Sequence, residues 1–313
     1  MATRSLRILA LAASLVGLGA LACSSQEEPW GSTPRAEVDG EVGRLARIHV
    51  ALQPWPDVVG GDPQLDVRAR FAAFRGLEVE VVRARLGLGP LPHERVGVGS
   101  CVIADHVDGL AEVEPRPQRA ERELLLLDGG DLQLRVGGVE LAVPLVLVPD
   151  LLPYMSGVEY ELVVPSLPSV FALDERALIE LELGGGDEEL PPSQIKAALP
   201  ARIDLRAEAM SGPSLVDLSW SPDPRGAKDA PLLLRLGAYI GGEAIGHEVL
   251  CAVVDRGALR LDVEELRRLG LGGAGEGLRI VASRTRTSTF EVGEFSGGEL
   301  ILEMRDGAFV TLP

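Results

Sequence analysis

From position 45 onward the chain is written in short apolar or alternating runs, each cut off by glycine, proline or aspartate. Runs of that length are too brief for amphipathic helices, whereas period-two alternation between turn residues is what half-buried strands require. The expected strands of a first set are 45–52, 65–74, 77–86, 101–104, 123–127, 131–136, 139–148, 159–164 and 177–183. In 77–86, Val79 and Val81 alternate with Glu80. Turn signals such as Asp128-Gly129-Gly130 and Gly137-Gly138 separate them. Residues 184–200, rich in glycine, acids and proline, interrupt the pattern with at most one helical turn over 193–199, and a domain boundary is expected near Pro200. A second set follows at 203–207, 215–220, 232–240, 248–254, 258–263, 277–284, 289–295 and 299–304, spaced as in immunoglobulin-like sandwiches. Within 215–220, Val216, Leu218 and Trp220 alternate with Asp217 and Ser219, which places the tryptophan on a buried face. The one helix with a clear apolar spacing is 263–269, through Val263, Leu266 and Leu269, stopped by Gly270. The expected fold is all-β: two β-sandwich domains, 45–200 mostly β and 201–313 immunoglobulin-like.

Ahead of this lies a different kind of segment. Arg4 and Arg7 precede an apolar run from Ile8 to Cys23 that has the length of a signal h-region and ends in small residues. Gly19, Ala20, Leu21, Ala22 and Cys23 resemble the lipobox of bacterial lipoprotein precursors, with Leu21 one place later than the commonest version of that motif. The resemblance implies a signal peptide at 1–22, cleavage after Ala22, lipidation of Cys23 and a mature protein held on a membrane by acyl chains, palmitate among them. Ser24 stands where inner-membrane lipoproteins carry aspartate, which points to the outer membrane of the cell envelope. Residues 23–44 then form a flexible tether of Ser, Gln, Glu, Pro and Gly, in which Trp30 is a lone aromatic.

Charge excludes one class of partner. The chain carries 30 Lys and Arg against 47 Asp and Glu, a net −17, and removal of 1–22 takes two arginines with it. Nucleic acid, which is bound by neutralising phosphates, is not expected as a partner. The same balance opposes adsorption to anionic lipid, so the acyl group alone would supply the membrane contact. An apolar content of 46% is enough for a sizeable core, and a mature chain of this length favours two domains. The low aromatic content, 4%, counts against a carbohydrate-stacking surface.

Two groups of residues carry a further resemblance. Trp220 before a proline-rich turn, with Cys251, Asp255, Gly257 and Glu264-Glu265-Leu266, is similar to the C-terminal half of uncharacterised lipoproteins of myxobacteria. Asp128-Gly129-Gly130-Asp131-Leu132, Tyr154 and Gly184-Gly185-Gly186 before Leu190-Pro191 are similar to their N-terminal half. That group implies an architecture and no activity.

With Cys23 lipidated, Cys101 and Cys251 remain, in a compartment where disulfides persist. Their settings match, Cys101-Val102-Ile103-Ala104-Asp105 and Cys251-Ala252-Val253-Val254-Asp255. Either a disulfide joins the two domains, or two buried free thiols occupy equivalent strands of a duplicated sandwich. Equivalent positions of tandem domains seldom meet, which favours the thiols. The four histidines, His49, His93, His106 and His247, lie singly, without ligand spacing. Gly97-Val98-Gly99-Ser100 has its serine one place off a nucleophile elbow, and Gly270, Gly272 and Gly275 match G-x-G-x-x-G in the wrong order, helix before and strand after. Asp57, Asp62 and Asp66 match no calcium loop. No metal or cofactor is expected. Two function classes stay open. The first is a non-enzymatic, membrane-tethered envelope lipoprotein that binds or assembles with a protein or glycan; the alternative is an envelope hydrolase acting on glycan or peptide through loop-borne acids. A deep cleft with converging polar groups would mark the second.

Overall fold

The computed structural model describes residues 42–53, 64–88, 91–104, 123–152, 155–165, 177–186, 190–210, 215–226, 231–240, 243–271, 273 and 277–312. The protein is all-β. Ten strands form one sheet in the spatial order β3 (Ser100–Ile103), β14 (Glu243–Val254), β13 (Pro231–Ile240), β16 (Gly277–Val292), β17 (Phe295–Thr311), β1 (Gly43–Gln53), β2 (Gln64–Arg75), β4 (Glu123–Leu126), β8 (Met155–Val164) and β7 (Leu145–Leu152). A four-stranded sheet runs β10 (Ser193–Ala198), β9 (Leu178–Leu183), β5 (Leu132–Val136), β6 (Val139–Val143). A three-stranded sheet runs β11 (Arg206–Ala209), β12 (Leu215–Ser219), β15 (Ala258–Asp262).

Alternation decides which way each strand faces. In β1, Ala46, Ile48, Val50 and Leu52 point inward, and in β17 Leu300, Leu302 and Met304 do the same. They meet Leu132, Leu134, Ile179 and Leu181 of the four-stranded sheet and Val216, Leu218 and Leu261 of the three-stranded one in a single buried cluster. Phe71 anchors its middle, with Tyr160 and Phe295 packed edge-on at 6.3 and 6.0 Å. The result is a sandwich in which two small sheets back one large sheet.

The opposite face of the large sheet is polar in the middle and apolar at both ends. At one end the short helix α1 (Val79–Arg85) sets Val82 and the following Leu86 on Ala72, Phe74, Leu124 and Leu126. At the other, α2 (Pro92–Arg95) leads into Val96, which with Ala104 covers Leu233, Leu250 and Ala252. The remaining helix, α3 (Val263–Arg268), buries Val263 and Leu266 and is capped by the Asp262 carboxylate accepting from Glu264 N–H.

Three expectations are corrected. Residues 77–86 are not a strand. Val82 and Leu86, four apart, reach the apolar end of the large sheet from one helical turn, and Gly87 at φ 64° closes it with Leu88 N–H on Arg83 C=O and Gly87 N–H on Ala84 C=O. Residues 193–198 are strand β10, because pairing with β9 satisfies a backbone that one helical turn would leave open. The expected division near Pro200 into two immunoglobulin-like sandwiches does not appear. Gly40–Pro313 is one compact unit, β1 pairs in parallel with β17, and one core contains residues from both sides of Pro200. The first and last strands of the unit pair with each other, so the large sheet draws on both sides of Pro200.

Candidate functional site

The polar middle of the large sheet is the first place where titratable groups gather. The alternation that buries Ile48 and Val50 sends Arg47 and His49 outward, opposite Asp66, Arg68 and Arg70 of β2 and beside Glu299, Glu303 and Arg305 of β17. Glu299 accepts from Arg47 Nε at 2.8 Å and from Arg83 at 2.7 Å. Burial opposes its charged form, but the hydrogen bonds from Arg83 and Arg47 prevail and lower its pKa. Glu303 lies 3.1 Å from His49 Nε2 and 2.7 Å from Arg305. Burial alone would raise this carboxyl; the bond to His49 and the charge of Arg305 outweigh it and hold the group well below the usual carboxylate range. A carboxylate held ionised beside a guanidinium has no proton to give near neutrality. The ladder therefore ties β1, β17 and α1 together.

Two other buried knots centre on Tyr160 and Arg284, which the sequence did not single out, and join them to Asp128-Gly129-Gly130 and to Trp220 and Asp255, which it did. In the first, the Tyr160 hydroxyl accepts from Gly129 N–H at 2.8 Å and stands 2.9 Å from Asp128 Oδ1 and 2.8 Å from Gly130 C=O, either of which can take its proton. Burial, then the hydrogen bond to Asp128 and its charge, push its pKa well above the ordinary tyrosine value. Gly130 passes so close to Gly185 that a Cβ on it would sit 2.4 Å from the Gly185 oxygen, and a Cβ on Gly185 would sit 2.6 Å from Pro192 Cδ. Tyr154 lies outside the described residues.

In the second knot, Asp255 accepts from Trp220 Nε1 at 2.7 Å through one oxygen and from Arg284 Nε and Nη2 at 2.8 Å through the other. Arg284 donates its remaining protons to the carbonyls of Ala201, Arg202 and Ser221 at 2.7, 3.0 and 2.8 Å. All five guanidinium donors are thus occupied in a setting where the two side chains are 5% and 6% exposed. Both knots pin loops to sheets.

Cys101 and Cys251 are joined, with Sγ–Sγ 2.07 Å and Cα–Cα 4.0 Å, which overturns the preference for free thiols. Ala104 N–H donates to Glu248 C=O, so the pairs alternating with it are hydrogen-bonded and Cys101/Cys251 is a non-hydrogen-bonded pair, where facing Cα atoms come nearest. The cysteines are not duplicated positions but direct neighbours on β3 and β14.

The other singled-out residues do not converge. His247 bonds the Leu269 carbonyl, His93 lies in α2, and His106 is outside the described residues, as are Cys23, Trp30, Asp57 and Asp62. Gly270 ends α3, and Gly272 and Gly275 are also outside. Among the described residues no three His, Cys, Asp or Glu group so as to hold a metal. A cavity of about 390 Å³ is lined by Phe74, Leu77, Val79 and Ser296, with an Arg44–Glu294 ion pair. None of the groups with a displaced pKa lines it.

What remains is the rim at β7. Proline at 144 breaks the run 139–148, so that β6 ends in the four-stranded sheet and β7 starts in the large one. Leu145, Val146 and Leu147 are 41%, 37% and 74% exposed. Glu161 N–H donates to Pro144 C=O, so Val146 and Val148 form the hydrogen-bonded pairs with Glu159 and Gly157. The N–H and C=O of Leu145 and Leu147 therefore point away from β8, toward the open edge. Among the described residues no strand pairs with that edge. An apolar strand edge with free donors and acceptors is a template for another strand. Reasoning from the sequence missed it, although Pro144 was a signal: proline in a strand pattern belongs at an edge.

No family model and no curated protein matches the sequence. Among solved structures, the chain is similar to the yeast delta-COP-I mu-homology domain at 7% identity and a TM-score of 0.26, over 86% of this chain and 98% of that one. A likeness that remote bears on neither fold nor function.

Proposed function

We propose that this protein is a non-enzymatic binding or assembly module of the bacterial cell envelope, held on a membrane by acyl chains on Cys23 and receiving a partner polypeptide by strand addition at β7. The observation that carries the binding part is the rim: Leu145–Val146–Leu147 is exposed, and the N–H and C=O of Leu145 and Leu147 turn to the open edge. The Cys101–Cys251 disulfide supports an exported protein, since such bonds persist in oxidising compartments. The lipobox-like run ending at Cys23 supports the anchor.

The test places a photo-crosslinking benzoylphenylalanine at position 147 in cells producing the chain, with and without Cys23→Ala. The Cys23 protein should take up labelled palmitate, sediment with membranes and form a light-dependent adduct with a polypeptide. Cys23→Ala should abolish the label and release the protein. A Cys23→Ala protein that stays membrane-bound and normally processed would sink the anchor, and absence of any polypeptide adduct would sink the binding role.

A further inference from the structure

We infer that β7 takes a short extended segment of a cationic partner protein, apolar at alternate positions; the inference rests on the binding-module reading and names the occupant of its site. The backbone sets the length. Leu145 and Leu147 offer two N–H and two C=O groups outward, and an antiparallel strand laid against them exchanges four hydrogen bonds through two of its residues, spaced two apart. Pro149 has no N–H to offer, and before Pro144 the chain belongs to the four-stranded sheet, so the pairing cannot be prolonged at either end with full bonding. This edge accepts a strand of about four residues and is protected from open-ended stacking.

The side chains set the apolar requirement. Leu145 faces Tyr160 across the pair and so lies on the core side, as does Leu147 two residues on; Val146 lies on the other side. Partner residues opposite Leu145 and Leu147 would bury those leucines, whereas the intervening partner residue meets only Val146.

Charge selects between a foreign strand and a second copy. Two-fold pairing about Val146 would set Leu145 of each copy against Leu147 of the other, a register that satisfies the backbone. Each copy, however, carries a net −17, with 47 acids against 30 bases, and like bodies of that charge repel on approach. The same field attracts a segment flanked by Lys or Arg. Charge complementarity therefore favours the cationic partner.

The probes are the fluorescein-labelled peptides acetyl-KTVTVTVK-amide and acetyl-ETVTVTVE-amide, titrated with the full chain by fluorescence anisotropy at low and high salt. The cationic peptide should bind at least about tenfold more tightly than the acidic one, with the gap closing as salt screens the field. Leu147→Pro removes one outward N–H and none that β8 uses, so it should weaken the cationic peptide about tenfold. Leu147→Lys keeps that amide but adds a like charge and should weaken it as well. Far-UV circular dichroism confirms that each variant is folded. Equal binding of both peptides, binding of neither, or binding unchanged in folded Leu147→Pro overturns the inference. Sedimentation showing a dimer that Leu147→Lys dissociates assigns the rim to a second copy and overturns it too. If the peptides fail while the adduct at position 147 persists, the cationic-strand inference falls and the binding-module reading stands.

Discussion

Replacing Arg284 with methionine should cost the protein a large part of its stability. Methionine preserves most of the side-chain volume and removes the guanidinium. Asp255, 6% exposed, would keep Trp220 Nε1 and the Asp223 N–H at 3.3 Å as partners but lose the guanidinium charge held against Oδ2. The carbonyls of Ala201, Arg202 and Ser221 would lose a donor each. Breaking one side of a buried ion pair costs about 3–5 kcal/mol. Whole domains are stable by only about 5–15 kcal/mol, so the variant should be barely folded at 37 °C. Urea unfolding of the purified protein, followed by far-UV circular dichroism, measures the loss as a fall in midpoint at unchanged slope. Arg260→Met is the matched control. Arg260 pairs with Asp217 at 2.7 Å, yet it is 62% exposed, and its loss should leave the midpoint where it was. If Arg284→Met falls no further than Arg260→Met, then Arg284 is not a buried clamp and the account of that knot is wrong.

That knot also marks where sequence reasoning stops. Alternation is local, so the inward set Val216, Leu218 and Trp220 could be read from the run itself, and Trp220 is indeed buried. Pairing is not local. Nothing near Arg47 announces Glu299, 252 residues away, and a parallel neighbour needs no hairpin signal between the two strands. The boundary expected at Pro200 followed from the same limitation, since turn residues show where strands end and not which sheet the next strand joins. The cysteines misled for a sharper reason. Two matching Cys-x-x-x-Asp settings suggested duplicated positions, but only the register of β3 on β14 shows that they face each other. In Asp255 the aspartate of the second setting serves Trp220 and Arg284, a role fixed by residues on other strands. At 77–86 two periods competed: the Val79/Val81 alternation was read first, whereas Val82 and Leu86 carried the burial.

Acid should destabilise the fold through Glu303. The folded protein holds this carboxyl ionised far below the pH at which the unfolded chain protonates it, so its contribution is complete above the ordinary glutamate value and is lost as pH falls from roughly 4.5 downward. Glu303→Gln should flatten that part of a stability-against-pH curve measured by urea unfolding; an acid limb as steep as before would remove Glu303 from the account. The disulfide should matter over a different range. It closes a loop of 150 residues that contains strands of all three sheets, and that closure restricts the unfolded chain rather than strengthening any native contact. The chain-entropy relation gives about 5 kcal/mol for a loop of this length, a ceiling, since unfolded chains that stay compact lose less. Reduction with dithiothreitol and the double replacement Cys101→Ser with Cys251→Ser should therefore lower the urea midpoint by the same amount, because both release the same loop. The slope of unfolding against urea should rise in both, as a longer free chain exposes more surface. A shift seen on reduction but absent from the double serine variant would mean that the thiols themselves disturb the native packing around Cys251, and the loop argument would have to be abandoned.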